Sequence, residues 1–458
     1  MTVPLANSPR SVGEVQDSGD WLALFMPQAS GRARVQVPGS KSLTNRYLLL
    51  AALASSESVI HAPLHSRDSA LMIAALEALG ACFTEVETGS PFGPDLRVTP
   101  LTRGTSLGDV RVDVGLAGTV MRFVPPVAAL VNSQVYFDGD EHAYARPMLP
   151  VIDALRSLGV SVDDGGSGSL PFTVEGFGRV ERQELSIDAS GSSQFVSALL
   201  LAGASFAHGL TLKHSGKPIP SMPHVEMTVE ILRSVGLEID DSVPNQWRIE
   251  PQRFPGFEVT IEPDLSNAGP FIGAAVITGG TVEIPHWPAE TTQGGDHWRS
   301  ILPLFGATVE QGENSLTVTG ADGGLYRRTV SLDLDLSEAG ELAPTVAALA
   351  ALCEGTSVLR GIAHLRGHET DRLAALTAEI NRLGGTCEET EDGIRITAPV
   401  QKSGTVRTYA DHRMATAAAM MGLAVEGIIV ENVETTSKTL PNFTGLWSNM
   451  LAELQKGA

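Results

Sequence analysis

The chain has 458 residues, 43% of them hydrophobic and 19% charged, which is long for one apolar core and points to two globular domains of roughly 200 residues each. A formal net charge of −21 argues against nucleic acid or an anionic membrane surface as partner, because phosphate backbones are bound by excess lysine and arginine. Cys82, Cys353 and Cys387 share no metal-ligand spacing and make an odd count, so neither a zinc site nor a disulfide framework is expected and a reducing cytoplasm fits best.

Residues 1–20 read as a disordered tail. They show no charged segment leading into an apolar one, and nowhere in the chain do 18 apolar residues run together, so neither secretion nor membrane insertion is expected. The first strong element is the helix in "GSKSLTNRYLLLAALA", residues 39–54, which is apolar nearly all round yet carries Lys41 and Arg46 at its start. Five later stretches have the same design, with small or polar residues followed by about ten apolar ones: "GLAGTVMRFVPPVAAL", "ASGSSQFVSALLLAG", "DLSNAGPFIGAAVI", "LSEAGELAPTVAALAAL" and "ADHRMATAAAMMGLAV". With Ser40, Ala117, Ser192, Ser266, Gly340 and Asp411 as markers, the steps are 77, 75, 74, 74 and 71 residues.

A second series runs out of phase with the first: "EALGACF", "RSLGVSV", "RSVGLEI", "PLFGATV" and "NRLGGTC", with Gly80, Gly159, Gly236, Gly306 and Gly384 spaced by 79, 77, 70 and 78. Each predicts a helix closed by a glycine just past its end, followed by a short strand. Two interleaved series of nearly equal period predict six copies of a unit of about 75 residues. One helix of each unit is amphipathic, as in "DRLAALTAEINRLG", where Leu373, Leu376, Ile380 and Leu383 share a face. The other has no polar face to give to water and must be interior.

A helix N-terminus already favours anions, through unpaired N–H groups and a partial positive charge. Lys41 and Arg46 add full positive charge there, which is locally unfavourable unless a multiply charged anion binds; two surface cations at a helix end by chance is the bland alternative. Other starts add Arg122, the hydroxyls of Ser192 and Ser193 with the amide of Gln194, and Asp411, His412 and Arg413. "RGHETDRL" sets His368 and Glu369 close before Arg372, either a solvated helix face with an ion pair or a reactive cluster. "EAGELAP" leaves Glu341 before a run of apolar residues, either as simple dipole capping or as one of two carboxylates fit for acid–base work beside a polyanion.

Taken together, "PGSKSLTNR", "LAGTVMRF", "ARPM", "GSSQF", "GKPIPSMPH", "GHETDRL", "DHRMA" and "SKTLPNF" resemble, in order and from about residue 25 to 450, the 5-enolpyruvylshikimate-3-phosphate synthases of the enolpyruvyl transferase family. The resemblance implies an α/β fold of two similar domains, each of three βαβαββ repeats with buried helices, an inside-out α/β barrel. Residues 40–260 would form one domain and residues 21–39 with 261–458 the other, with crossings near residues 38 and 262 and substrates bound between. It implies transfer of the enolpyruvyl group of phosphoenolpyruvate to the 5-hydroxyl of shikimate 3-phosphate, with no metal or organic cofactor, in a cytoplasmic monomer.

By the same resemblance, shikimate 3-phosphate would be held by Lys41, Ser42, Arg46, Ser192, Ser193, Gln194, Ser221, Glu341 and His368. Phosphoenolpyruvate would be held by Lys41, Gly118, Arg146, Gln194, Arg372, Arg413 and Lys438. Lys41, Glu341 and Glu369 would be catalytic. Departures from the family pattern are Leu116 in place of a usual Asn, His368 in place of Lys, His224 in place of Tyr, and Glu341 in place of Asp. The sister enzymes acting on UDP-N-acetylglucosamine use a loop cysteine, and residues 115–122 contain none. A binding protein without catalysis would have no need to keep Glu341 and Glu369.

Overall fold

The computed structural model describes Val15 and residues 19–456; most of the expected N-terminal tail lies outside the described residues. The six apolar stretches are the helices Lys41–Leu53, Gly118–Ala128, Gln194–Gly203, Leu265–Thr278, Ala343–Ala350 and His412–Ala424. They are buried along almost their whole length, as their lack of a polar face requires. The first three pack on one another, and so do the last three.

The glycine series closes its helices as the sequence predicts. Gly80, Gly159, Gly236, Gly306 and Gly384 all have φ between 79° and 99°, the left-handed conformation that glycine adopts without a Cβ penalty. In every case the following N–H reaches back five residues, as in Ala81 to Leu76 at 3.0 Å and Leu237 to Leu232 at 3.0 Å, the hydrogen bond that ends a helix of this kind. The fourth unit departs: its amphipathic helix shrinks to one α turn, Trp298–Ile301, and a 3₁₀ turn, Leu302–Phe305. Pro303 cannot donate a backbone hydrogen bond, and this unit ends the shortest step of the glycine series.

Each unit builds one small sheet, six among the described residues. In the second, Asp109–Asp113 lies parallel to Gln134–Asp138 across the buried helix, and Phe172–Glu175 and Ser161–Asp163 continue the sheet antiparallel. The fifth unit repeats this order with Leu332–Asp335, Ser357–Arg360, Ile394–Ala398 and Thr386–Glu389. Side chains alternate between buried and exposed along Asp109–Asp113, so each sheet covers the helices with one face and meets water with the other. Three sheets take a strand from a distant part of the chain: Glu258–Thr260 pairs with Ser58–His61, Arg32–Arg34 with Thr281–Pro285, and Trp21–Leu22 with Ile428–Val430.

Buried apolar residues fall into two separate clusters. One runs from Leu43 to Ile261; the other joins Trp21–Val37 to Leu265–Leu454. The chain passes between them twice, side by side, where Ser40 N–H donates to Glu262 O at 2.8 Å and Asp264 N–H to Pro38 O at 2.9 Å. Among the described residues no helix is long and apolar enough to cross a membrane.

Candidate active site

The buried helices of the two cores begin on opposite walls of one cleft, of about 1220 Å³ including its open mouth. The starts are tied together. Asp264 accepts from Asn267 N–H at 2.9 Å through Oδ1 and from Lys41 N–H at 3.2 Å through Oδ2, so one carboxylate caps a helix in each core. Asp411 caps the last buried helix by accepting from Arg413 N–H at 2.8 Å.

The first core contributes cations with few counter-charges. Arg46 donates to Thr228 Oγ1 at 2.8 Å, Ser42 O at 2.9 Å, His224 O at 3.1 Å and Ser197 Oγ at 3.3 Å, all of them neutral acceptors. Burial lowers its pKa to about 9, a measure of how poorly this site holds a lone cation. Arg122 stacks on Phe195 and donates to Gln194 Oε1 at 2.8 Å. Burial, and secondarily Arg146, lower its pKa to about 9 as well. Arg146 donates to Leu116 O at 2.9 Å, and its Nε and that of Arg122 have no hydrogen-bond partner. The Lys41 ammonium forms an ion pair with Asp68 at 3.6 Å.

The second core contributes the carboxylates, each already engaged. Arg372 has no exposed surface and lies at their centre. It donates to Asp411 at 2.7 and 3.3 Å, to Glu369 at 3.0 Å and to Glu341 at 3.3 Å. Burial alone would lower its pKa; Asp411, Glu341 and Glu369 outweigh that and raise it. The reading of "RGHETDRL" as a solvated helix face is therefore excluded: the helix Arg372–Arg382 starts at the buried arginine, and His368 and Glu369 precede it on the cleft wall.

Glu341 sits in the 3₁₀ turn Gly340–Leu342 with 28% of its side chain exposed to the cleft, so it does more than cap a helix. Arg413 Nε lies 2.7 Å away, although its N–H is not directed at the carboxylate. Burial would raise the Glu341 pKa, but Arg413 and Arg372 hold it well below the usual carboxylate range. Glu369 meets Lys438 Nζ at 2.8 Å. It too is held ionised against burial, first by Lys438, then by Arg372, Arg146 and Lys41.

Of the residues named from sequence, Lys41, Ser42, Arg46, Gly118, Arg146, Ser192, Ser193, Gln194, Ser221, Glu341, His368, Glu369 and Arg413 line this cleft. Arg372 and Lys438 stand behind the wall, in contact with Glu369. Gly118 has a steric purpose, since a Cβ there would lie 2.7 Å from Arg146 Nη2. At two of the departures the contact to the site runs through the main chain. Leu116 holds Arg146 through its carbonyl, and His224 holds Arg46 in the same way.

Asp68, Asp264, Asn267, Gln293 and His364 also line the cleft and were not singled out from the sequence. Asp264 carried a signal, a capping residue before an apolar run. Gln293 carried none: it arrives from a loop and ties down the crossing through Glu262 Oε2 at 2.8 Å and Pro263 O at 3.0 Å. The assembled site pairs an anion-poor, arginine-rich wall with two ionised carboxylates, which suits proton transfer on a substrate carrying several negative charges.

The family described as EPSP synthase (3-phosphoshikimate 1-carboxyvinyltransferase) matches residues 27–447. A 3-phosphoshikimate 1-carboxyvinyltransferase of Kocuria rhizophila is 58% identical over 433 residues, covering 94% of this chain and 96% of the relative. One of Mycobacterium ulcerans is 51% identical over 437 residues, covering 94% and 97%. Among solved structures, an EPSP synthase from Acinetobacter baumannii superposes with a TM-score of 0.73 at 23% identity, covering 94% of this chain and 98% of that one. The enolpyruvyl transferase NikO from Streptomyces tendae gives 0.68 at 17% identity, covering 94% and 97%.

Proposed function

The chain belongs to the EPSP synthase family, and on that premise we propose how its cleft carries out the family's reaction. The enolpyruvyl group of phosphoenolpyruvate passes to the 5-hydroxyl of shikimate 3-phosphate, and phosphate is released. The observation that carries the reading is the division of charge, with uncompensated cations on one wall and two ionised carboxylates on the other.

Shikimate 3-phosphate takes the wall of Lys41, Ser42, Arg46, Ser192, Ser193, Gln194 and Ser221, with Glu341 and His368 facing it. Its phosphate relieves the unfavourable burial of Arg46. Phosphoenolpyruvate lies against Lys41, Gly118, Arg146, Gln194 and Arg413, and Arg372 and Lys438 turn to it from behind Glu369. Guanidinium forks match its carboxylate and phosphate, and lysine adds compact charge. Glu341 takes the proton of the 5-hydroxyl as that oxygen attacks C2, and Glu369, assisted by Lys41, delivers a proton to C3. The tetrahedral adduct then loses a C3 proton to Glu369, the C2–O bond to phosphate breaks, and the double bond re-forms.

Glu369 is ionised in the empty site and must gain a proton before it can give one. The donor supplies the means: its own negative charges compete for Lys438 and Arg372, and as those cations turn to the donor the Glu369 pKa rises. Lysine and arginine provide the charge neutralisation that phosphate departure requires.

The domains of this reading are residues 40–260, and residues 21–39 with 261–458, in a cytoplasmic monomer. Transfer to a UDP-sugar by the cysteine-dependent sister chemistry finds no support, since none of Cys82, Cys353 and Cys387 lines the cleft. Release of phosphate that requires both substrates, with one enolpyruvyl ether formed per phosphate, tests the function. Release with phosphoenolpyruvate alone would overturn it.

A further inference from the structure

The tight turn that delivers Asp411 is built from residues unsuited to it. Thr408 O accepts from Asp411 N–H at 2.9 Å, and the two residues between, Tyr409 and Ala410, have φ of 53° and 55°. A turn with two left-handed central residues ordinarily takes glycine, asparagine or aspartate there, so this one has to be held from outside. Two anchors come from one face of the helix Arg372–Arg382, seven residues apart. Arg372 grips Asp411 at the end of the turn, at 2.7 Å. Glu379 grips its beginning, accepting from Arg407 N–H at 3.1 Å and from the Tyr409 hydroxyl at 2.7 Å. A longer contact, Thr408 N–H to Glu431 Oε2 at 3.4 Å, adds to the hold. Glu379 is only 1% exposed and takes no part in the proton transfers. It also pairs with Arg382 at 3.0 and 3.2 Å, but that arginine is 40% exposed, and a pair at the surface contributes too little to account for a buried carboxylate.

We propose that Glu379 is a positioning residue for proton transfer at the donor: by holding the turn of residues 408–411 it sets the place of Asp411 and, through Asp411, the aim of the Arg372 guanidinium at Glu369. The inference rests on the reading of Glu369 as the group that moves the C3 proton. Each link is a directed contact. Arg372 places Nε and Nη2 on Asp411, at 2.7 and 3.3 Å, and Nη2 also on Glu369 at 3.0 Å. With no exposed surface, it has no solvent to turn into and follows the carboxylate that orients it. When the turn relaxes toward right-handed backbone, Asp411 moves and the Arg372 fork moves with it. Glu379 itself does not line the cleft, so it acts on the donor only through this chain of contacts.

The test measures exchange of solvent deuterium into C3 of phosphoenolpyruvate, the KM of each substrate and the melting temperature, in Glu379→Ala, Tyr409→Phe, Glu379→Ala combined with Ala410→Gly, and Glu369→Gln. Glu379→Ala is expected to slow exchange about tenfold and raise the phosphoenolpyruvate KM, with the shikimate 3-phosphate KM within about twofold of the parent, since a small misplacement at a distance costs rate at the reacting atoms. Ala410→Gly supplies a residue that takes left-handed backbone without a Cβ penalty. Added to Glu379→Ala, it is expected to bring exchange back to within about threefold of the parent. A merely structural glutamate would lower the melting temperature and change both KM values together, and glycine at the exposed position 410 would restore neither. Should Glu379→Ala fail to fold, Tyr409→Phe keeps the ring and loses only the hydroxyl bond; it is expected to slow exchange about threefold, with the same recovery on adding Ala410→Gly. Exchange at the parent rate in Glu379→Ala, or in Tyr409→Phe where that variant stands in, overturns the proposal, and so does a loss that Ala410→Gly leaves unrepaired. If Glu369→Gln also exchanges at the parent rate, the reading of Glu369 itself fails; if Glu369→Gln is slow, only the role of Glu379 is lost.

Discussion

Two histidines and two glutamates in the cleft are pushed away from their ordinary pKa values by their surroundings. Glu341 and Glu369 are ionised by the cations around them, which is the state a base needs. Glu341→Gln is therefore expected to bind both substrates and to lose about 10²- to 10⁴-fold in kcat, the usual weight of general acid–base catalysis; steady-state kinetics and titration calorimetry check the two halves of that statement. The histidines go the other way. Burial, then Arg46, lower the His224 pKa to about 4; burial, then Arg372, lower that of His368 to about 3. An unfolded histidine takes up a proton near pH 6.5 while these stay neutral in the folded protein, so stability is full above about pH 6.5 and falls as the pH drops toward 4. Melting temperatures between pH 7 and 4 should show this decline, and His224→Asn should flatten it by up to about one proton's worth. Motif order made Lys41, Glu341 and Glu369 legible in the sequence. The buried centre at Arg372 was not, because an Arg beside Glu and Asp in sequence looks the same on a solvated helix as at the middle of an ion cluster.

Helix ends were the most legible elements, because their chemistry is local. All five glycines of the second series fall in the left-handed region, as the helix-stop signal required. Gly236 has no atom within 4 Å of where a Cβ would stand, so Gly236→Ala isolates the backbone effect and is expected to cost about 1 kcal/mol. Chemical denaturation measures it, and a neutral result would mean that the helix end refolds around the substitution. Asp264→Ala should cost more, about 1 kcal/mol at each of the two helix starts it caps. It should also weaken catalysis, since Lys41 stands on one of those starts. Half of this was visible beforehand: the cap on Asn267 follows from sequence adjacency, whereas the cap on Lys41, 223 residues away, exists only because the two chain crossings lie side by side. The borrowed strands Glu258–Thr260 and Arg32–Arg34 were hidden for the same reason, as were Gln293 and His364.

For the whole molecule the sixfold repeat was readable, since a period of about 75 residues survives in glycines and apolar runs. Where the repeats meet was not, because no local pattern says which helix starts will face each other. On the proposed reading both cores supply cations to the substrates, and the second core supplies the two carboxylates that move protons. Buried arginines without carboxylate partners oppose folding of the empty protein, so bound anions should stabilise it. Shikimate 3-phosphate at about a hundred times its Kd should add about 2.7 kcal/mol, read as a rise in melting temperature that is lost in Arg46→Ala. The assignment of proton transfer at C3 to Glu369 is tested most directly by exchange of solvent deuterium into C3 of phosphoenolpyruvate, followed by NMR with both substrates saturating. The parent enzyme and Arg46→Ala should exchange, since Arg46 is placed on the acceptor alone, while Glu369→Gln should bind the acceptor and exchange slowly or not at all. Exchange at the parent rate in Glu369→Gln would contradict the account.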